Sequence, residues 1–199
     1  NRMYLRKMIF NSYKKSFEDI NKTIDNKNIQ KFVCNVDKNL KLIGITYTGK
    51  VFHLDWESNI NNDHKLDNKS LGNIDPNEII NFHSIKKEIK NYLCILNSDG
   101  RFKKVLFDKN MINSNRSFAI TKLKNNTKTI DSFISNEEKN LIILTSIGRI
   151  FKFNLSDEFL TPTSKQSQGL ILAKLLPTEK IVSCCQYQNG DNIYLVSKK

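Results

Sequence analysis

The segment ILTSIGRIF at residues 143–151 is the clearest guide to the architecture, because its pattern occurs twice more in the chain. The segments ILNSDGRFK at residues 95–103 and GITYTGKVF at residues 44–52 align with it without gaps. A glycine stands at the same place in each copy, at Gly49, Gly100 and Gly148, so that the copies are 51 and 48 residues apart. Each glycine is followed at once by lysine or arginine. This regular period predicts a repeat architecture.

Each copy has the sequence of a β-hairpin. Apolar β-formers precede the glycine, and the fifth and seventh residues after it are apolar every time. These residues are Leu54 and Trp56, Val105 and Phe107, and Phe153 and Leu155. Alternation with a period of two is typical of a strand with one buried face. A polar residue and glycine between two such strands predict a tight turn, in which glycine supplies the positive φ.

A further strand-like run precedes each hairpin, and these runs lie at residues 29–36, 78–85, 129–134 and 179–187. The fourth copy of the repeat continues to residue 199, and residues 1–5 resemble the strand that follows a turn glycine. We therefore expect about four repeats, each too small to bury its own apolar face. The sequence predicts an all-β, propeller-like array of about four, and at least three, four-stranded blades, forming a single domain over residues 1–199. A pair of β-sandwiches is the runner-up, but it would not require a common register.

Three polar segments interrupt the pattern. Residues 57–76 and 156–169 are expected to be connecting loops. Residues 12–28 leave two alternatives open, since Phe17, Ile20 and Ile24 have the spacing of a short helix while the Asn- and Lys-rich composition suits an insertion loop.

The chain is strongly basic, with a net charge of +12 and a pI near 9.5. Domains of this kind bind nucleic acid or anionic membranes. No apolar run has the length of a membrane span, and we expect no membrane partner. The abundance of Asn, Lys and Ile also suits an AT-rich genome, so codon bias explains part of the charge.

No catalytic or metal-binding pattern is present in the sequence. The four cysteines form no CxxC pair and there are only three histidines, which argues against zinc and against a disulfide framework. Cys34 and Cys94 lie in apolar runs and are interpreted as buried thiols. Nucleotide-binding loops and nucleophile constellations are also missing. We expect no catalytic centre, no metal and no cofactor in this chain.

Three stretches resemble the C-terminal domain of DNA gyrase A. The family motif is an apolar strand, then Thr-x-x-Gly, an apolar residue and a basic pair, and residues 97–105 and 144–152 are similar to it. Residues 167–181 are similar to a further family stretch that ends in Glu-Lys-Ile. Residues 32–51 resemble the plastid branch. The resemblance implies a β-pinwheel that wraps duplex DNA around a basic rim, as a non-catalytic fragment of a larger type IIA topoisomerase chain.

The same resemblance implies further properties. The partners would be duplex DNA, the rest of the gyrase A protein, and gyrase B, and the location would be a plastid-type organelle (apicoplast). One departure concerns the glycine-rich gyrase box, expected near residues 12–16, where this chain has two lysines and no glycine. This departure leaves open whether the protein is a divergent gyrase or a relaxing enzyme that resembles topoisomerase IV.

Basic residues on outward-facing hairpin positions are expected to neutralise phosphates. The candidates are Arg2, Lys7, Lys14, Lys15, Lys50, Arg101, Lys103, Lys104, Arg116, Arg149, Lys152 and Lys165. A protein-interaction propeller without a DNA role is the alternative function. A propeller enzyme has the least support.

Overall fold

A computed structural model of the chain describes residues 40–55, 71–86, 90–135 and 139–194, together with the backbone of four short strands at residues 4–5, 8–11, 16–19 and 64–65. The chain divides into two compact units. Unit 1 contains residues 1–89 and 107–120, and unit 2 contains residues 90–106 and 121–199. Strands are numbered below in chain order.

Unit 1 contains one four-stranded antiparallel sheet. Its strands are β4 (Leu40–Thr46), β5 (Lys50–Leu54), β7 (Ile79–Lys86) and β10 (Phe118–Ala119), in the order β10-β5-β4-β7. Two short ladders join β1 (Tyr4–Leu5) to β6 (His64–Lys65), and β2 (Met8–Asn11) to β3 (Ser16–Asp19). A 3-10 turn at Pro76–Glu78 precedes β7, and the short helix α1 (Lys109–Ile112) precedes β10.

Unit 2 contains two antiparallel sheets. The first has the order β11-β8-β9-β14, formed by Thr129–Ser135, Asn91–Asn97, Arg101–Phe107 and Leu170–Ile171. The second has the order β13-β12-β15, formed by Ile150–Asn154, Asn140–Thr145 and Ile181–Tyr187. The predicted all-β class is confirmed, and within the described part of the chain the larger sheets number three.

The three predicted hairpins are β4–β5, β8–β9 and β12–β13, and their turns have the same hydrogen bonds. In each turn the glycine N–H donates over 3.0 Å to the carbonyl three residues earlier, at Thr46, Asn97 or Thr145. The glycine φ angles are 76°, 78° and 80°, a region that L-residues avoid. The turn prediction from the glycine register is therefore confirmed in all three copies.

Each strand-like run outside the hairpins pairs with a different hairpin from the one that the sequence suggested. We expected the runs near residues 78–85, 129–134 and 179–187 to accompany the hairpins that follow them. Instead β7 pairs with β4, β11 with β8, and β15 with β12, so each run completes the sheet of the hairpin before it. A repeat period does not distinguish these arrangements, because every run has a hairpin on both sides. The equivalent run at residues 29–36 lies outside the described residues.

The fourth strand of a sheet comes from further along the chain. β10 follows the β8–β9 hairpin but pairs with β5, and β14 follows the β12–β13 hairpin but pairs with β9. Each of these two sheets therefore receives an edge strand from the following repeat. The connecting loop predicted at residues 156–169 is confirmed, whereas residues 16–19 form a strand, so the helix considered for residues 12–28 is wrong over those four residues.

Apolar residues of the alternating pattern form a core in each unit. In unit 1, Leu42, Phe52, Leu54 and Ile79 pack against residues of the loop before β7. In unit 2, Leu96, Phe102, Leu141 and Ile143 lie in one cluster. Cys94 is fully buried there, which confirms the expected buried thiol, and burial raises its pKa to about 12. Cys34 lies outside the described residues.

Candidate nucleic-acid interface

The basic residue that follows each turn glycine differs among the three hairpins in its charge environment. Lys50 is exposed, and within the described residues no carboxylate forms an ion pair with it. Arg101 is largely buried and lies 3.0 Å from Asp99 Oδ2. The recurrence of a basic residue is therefore real, but of the three only Lys50 forms no ion pair with a carboxylate of the described residues.

Arg149 is held by a carboxylate of the same unit. Its Nε donates to Glu179 Oε1 over 2.8 Å, and its Nη2 donates to Glu179 Oε2 and to the carbonyl of Lys174. The guanidinium also lies 4.8 Å from the centre of the Phe151 ring. Glu179 is buried, and Arg149 lowers the pKa of its carboxyl group to about 2. The pair joins the β12–β13 turn to the segment before β15, so Arg149 has a structural role.

Lys103 was expected on the outside of its hairpin, and this expectation is wrong. The side chain is 1% exposed, and its ammonium donates to the carbonyls of Lys165 and Ser167 over 2.8 and 2.7 Å. Burial lowers the pKa of this ammonium to about 8. Lys103 therefore holds the 161–169 loop against β9.

Lys104 was also expected on the outside of the hairpin, and this expectation is wrong because the side chain is buried. Its ammonium donates to the carbonyl of Leu155 and to Asp157 Oδ1, the latter over 2.6 Å, and lies 4.4 Å from the centre of the Tyr92 ring. The Tyr92 hydroxyl donates to Asp157 Oδ2 over 2.6 Å, so that both groups lower the pKa of Asp157 to about 2. Alternation alone would have placed one of the two lysines outside. Both are inside because β9 is covered on both of its faces, so that all four middle residues, 102–105, are buried.

Exposed lysines lie on two loops of unit 2 that are in contact. The backbone N–H of Lys122 donates to the carbonyl of Ser167 over 3.2 Å, which places the 121–128 loop against the loop that contains Lys165. Lys122, Lys124 and Lys165 are all exposed, and we call them the lysine patch. The 121–128 loop contains three lysines and no acidic residue. Sequence reasoning missed Lys122 and Lys124 because they lie outside the repeated hairpins; the signal available was the run of lysines without an acid.

The remaining expected contacts lie elsewhere. Lys152 is exposed on β13, and its ammonium lies 5.4 Å from the centre of the Tyr187 ring. Arg116 is exposed in unit 1, in the turn after α1. Arg2, Lys7, Lys14 and Lys15 lie outside the described residues, as do residues 12–15 at the expected place of the gyrase box.

Within the described ranges, no three His, Cys, Asp or Glu side chains are grouped closely enough to bind a metal ion. Among those same residues, none of the helices is long and apolar enough to span a membrane.

Repeated hairpin sheets that receive an edge strand from the following repeat define the β-pinwheel class. Comparison with solved structures agrees with this classification. The C-terminal domain of DNA topoisomerase IV matches with a TM-score of 0.66 and 19% sequence identity, covering 77% of this chain and 49% of that chain. The C-terminal domain of DNA gyrase A matches with a TM-score of 0.62 and 18% identity, covering 82% of this chain and 54% of that chain. The C-terminal domain of E. coli ParC matches with a TM-score of 0.59 and 14% identity, covering 77% of this chain and 64% of that chain. The predicted pinwheel class is thus confirmed.

Sequence comparison leads to the same group of proteins. The A subunit of DNA topoisomerase 4 from Synechocystis sp. is 28% identical over 115 residues, which is 53% of this chain. No protein-family model matches the sequence. The chain is therefore similar in sequence to a topoisomerase 4 A subunit over about half of its length, and similar in fold to the C-terminal domains of topoisomerase IV and gyrase A. The chain spans only 12% of the length of the Synechocystis protein.

Proposed function

We propose that this chain binds duplex DNA as the C-terminal domain of an A-type protein of a type IIA topoisomerase, and bends the duplex along its basic surface. The observation that carries the proposal is the lysine patch, in which exposed ammonium groups lie on two ordered loops of a topoisomerase-like pinwheel. Lys50, Arg116 and Lys152 extend the exposed basic set. Lys103 and Lys104 contribute by shaping the fold, since their charges are used inside unit 2.

The proposed mechanism is electrostatic. Each lysine that neutralises a phosphate releases a condensed counterion, so affinity falls as salt rises and depends little on base sequence. Bending a 20–30 base-pair duplex by 40–90° costs on the order of 1–6 kcal/mol, and repeated phosphate contacts offset that cost. Strand cleavage and ATP use would belong elsewhere in the parent enzyme, whose other parts would be the rest of the A-type protein and gyrase B. A plastid-type location stays a prediction from the resemblance alone.

The test is a titration of fluorescent duplex DNA over a range of salt concentrations. In Lys122→Gln/Lys165→Gln, we expect weaker binding and a salt slope lower by about 0.9 for each lost phosphate contact. The matched control is Lys174→Gln/Lys180→Gln, which removes the same charge from exposed positions of the same unit outside the patch. An equal loss in both variants would show that only net charge matters. Absence of binding at low salt would reject the proposal and favour the protein-interaction propeller.

A further inference from the structure

The buried ammonium of Lys103 is joined to both loops of the lysine patch. It donates to the carbonyl of Lys165 over 2.8 Å and to the carbonyl of Ser167 over 2.7 Å. The Ser167 carbonyl accepts a second hydrogen bond, from the backbone N–H of Lys122 over 3.2 Å. One carbonyl oxygen therefore links the ammonium to the second loop, and the two exposed lysines take part through their own backbone atoms.

The 161–169 loop approaches β9 on both sides of this contact. Before it, the N–H of Thr163 donates to the carbonyl of Lys104 over 2.8 Å. After it, a Cβ atom on Gly169 would lie 2.4 Å from the carbonyl oxygen of Phe102. The buried ammonium binds residues 165 and 167, between these two anchors. It therefore fixes the part of the loop that carries Lys165.

Lys103 differs from its neighbour Lys104 in its partners. The Lys104 ammonium is paired with Asp157, whereas no carboxylate of the described residues forms an ion pair with Lys103. Burial of an unpaired ammonium costs free energy, and an apolar side chain of similar length would fill the same space without that cost. The hydrogen bonds to the two loop carbonyls therefore account for a lysine at this position.

We propose that Lys103 is a positioning residue for DNA binding, which fixes the backbone of Lys122 and Lys165 at one spacing without itself contacting DNA. Both exposed side chains can then reach phosphates of one duplex without rearrangement of the loops. This inference rests on the proposed function. A loop held in its binding conformation loses less entropy on association, whereas the salt slope depends only on the number of phosphates neutralised. Loss of the Lys103 ammonium therefore lowers the affinity by the same factor at every salt concentration.

The test compares Lys103→Met with Lys104→Met in the titration of fluorescent duplex DNA over a range of salt concentrations. Both changes remove one buried ammonium from β9 and retain an unbranched side chain, but only Lys103 donates to the 161–169 loop. We expect Lys103→Met to weaken binding roughly three- to tenfold with an unchanged salt slope, and Lys104→Met to bind within about twofold of the unchanged chain.

Three results of that titration would overturn the proposal. The first is equal affinity of Lys103→Met and the unchanged chain. The second is a lower salt slope in Lys103→Met, which would make Lys103 a phosphate contact. The third is an equal loss of affinity in Lys104→Met, which would indicate that lower stability of the fold weakens binding.

A second pair of variants tests the shared carbonyl without changing the interior. Lys122→Pro and Lys122→Gln remove the same exposed charge, but only proline also removes the N–H that donates to Ser167. We expect the same lower salt slope in both, and an affinity roughly threefold or more weaker with proline than with glutamine. Equal affinities would show that the link between the loops does not contribute to binding, and would contradict the positioning role.

Amide hydrogen exchange, followed by NMR in the absence of DNA, distinguishes this proposal from the proposed function. In Lys103→Met, the amide of Lys122 should exchange faster than in the unchanged chain, because its acceptor carbonyl is no longer held. Unchanged exchange would reject the positioning role whether or not the chain binds DNA. Absence of DNA binding by the unchanged chain would reject the proposed function, and the positioning role with it.

Discussion

The ammonium of Lys104 lies 2.6 Å from Asp157 Oδ1, which ties β9 to the loop after β13 inside unit 2. The lysine is buried while the aspartate is about half exposed, so the pair lies at the boundary of the protein interior. Lys104 follows Lys103, whose ammonium fixes the 161–169 loop. Two consecutive lysines thus attach two different segments to one strand.

The first prediction concerns this pair. Asp157→Ala should lower the free energy of unfolding by about 1–3 kcal/mol, because it leaves the buried Lys104 ammonium without its counter-charge, and the half exposure of the aspartate keeps the loss moderate. Adding Lys104→Met should recover part of the loss by removing the unpaired charge. Urea unfolding of both single variants and the double variant measures the coupling; strictly additive losses would contradict it.

The second prediction compares two turn glycines. Gly148→Ala should cost about 1–2 kcal/mol, since only its φ of 80° is unfavourable and the space around it is open. Gly100→Ala should cost at least about 2 kcal/mol more, because its Cβ would meet the Ala173 carbonyl and force the chain away from β9. Urea unfolding again provides the measurement. Equal costs would mean that the segment after β14 is not closely packed over this turn.

The third prediction concerns acid. Glu179 and Asp157 have folded-state pKa values of about 2, below the ordinary values of 4.5 and 3.8. Their contribution to stability is therefore complete above the ordinary values and is lost as pH falls toward 2. Thermal unfolding followed from pH 7 to pH 2 should show this decline. Arg149→Gln should flatten it, since that change removes the main cause of the low pKa of Glu179; an unchanged profile would reject the pairing.

The fourth prediction concerns Lys103 in alkali. Its folded-state pKa of about 8 lies below the ordinary 10.5, so the unfolded chain binds more protons between these values. Stability should consequently gain a contribution from this group as pH rises from about 8 to 10.5. Lys103→Met should remove that contribution. The salt slope of DNA binding should stay the same in this variant, because the ammonium is buried. A lower slope would indicate that Lys103 contacts a phosphate.

The fifth prediction concerns supercoiling. Residues 12–16 contain two lysines but no glycine, unlike the glycine-rich box that the family resemblance leads one to expect. We expect the chain to trap little writhe when a nicked plasmid is ligated around it, although it binds the same DNA. Gel analysis of the ligated topoisomers measures this. Trapping equal to that of a domain with an intact box would show that the box is not needed here.

The hairpins, their turns and the all-β repeat could be predicted from the sequence alone. These depend on local physics, namely apolar alternation and a glycine at a positive φ, which can be recognised at Gly49, Gly100 and Gly148 without knowledge of distant partners. The basic residues after those glycines were also evident, as was the resemblance to gyrase A.

The choice of strand that completes each sheet, and the exposure of each lysine, depend on contacts between distant parts of the chain. Strand pairing depends on contacts between residues far apart in sequence, such as Leu170 with Phe102, and a period of about fifty residues leaves both neighbouring hairpins available. Lys103 and Lys104 became internal because other segments cover β9 on both faces, whereas Lys122 and Lys165 stay exposed on loops that only folding brings together. The charge of a side chain is known from the sequence, but its access to a phosphate depends on which residues pack over it.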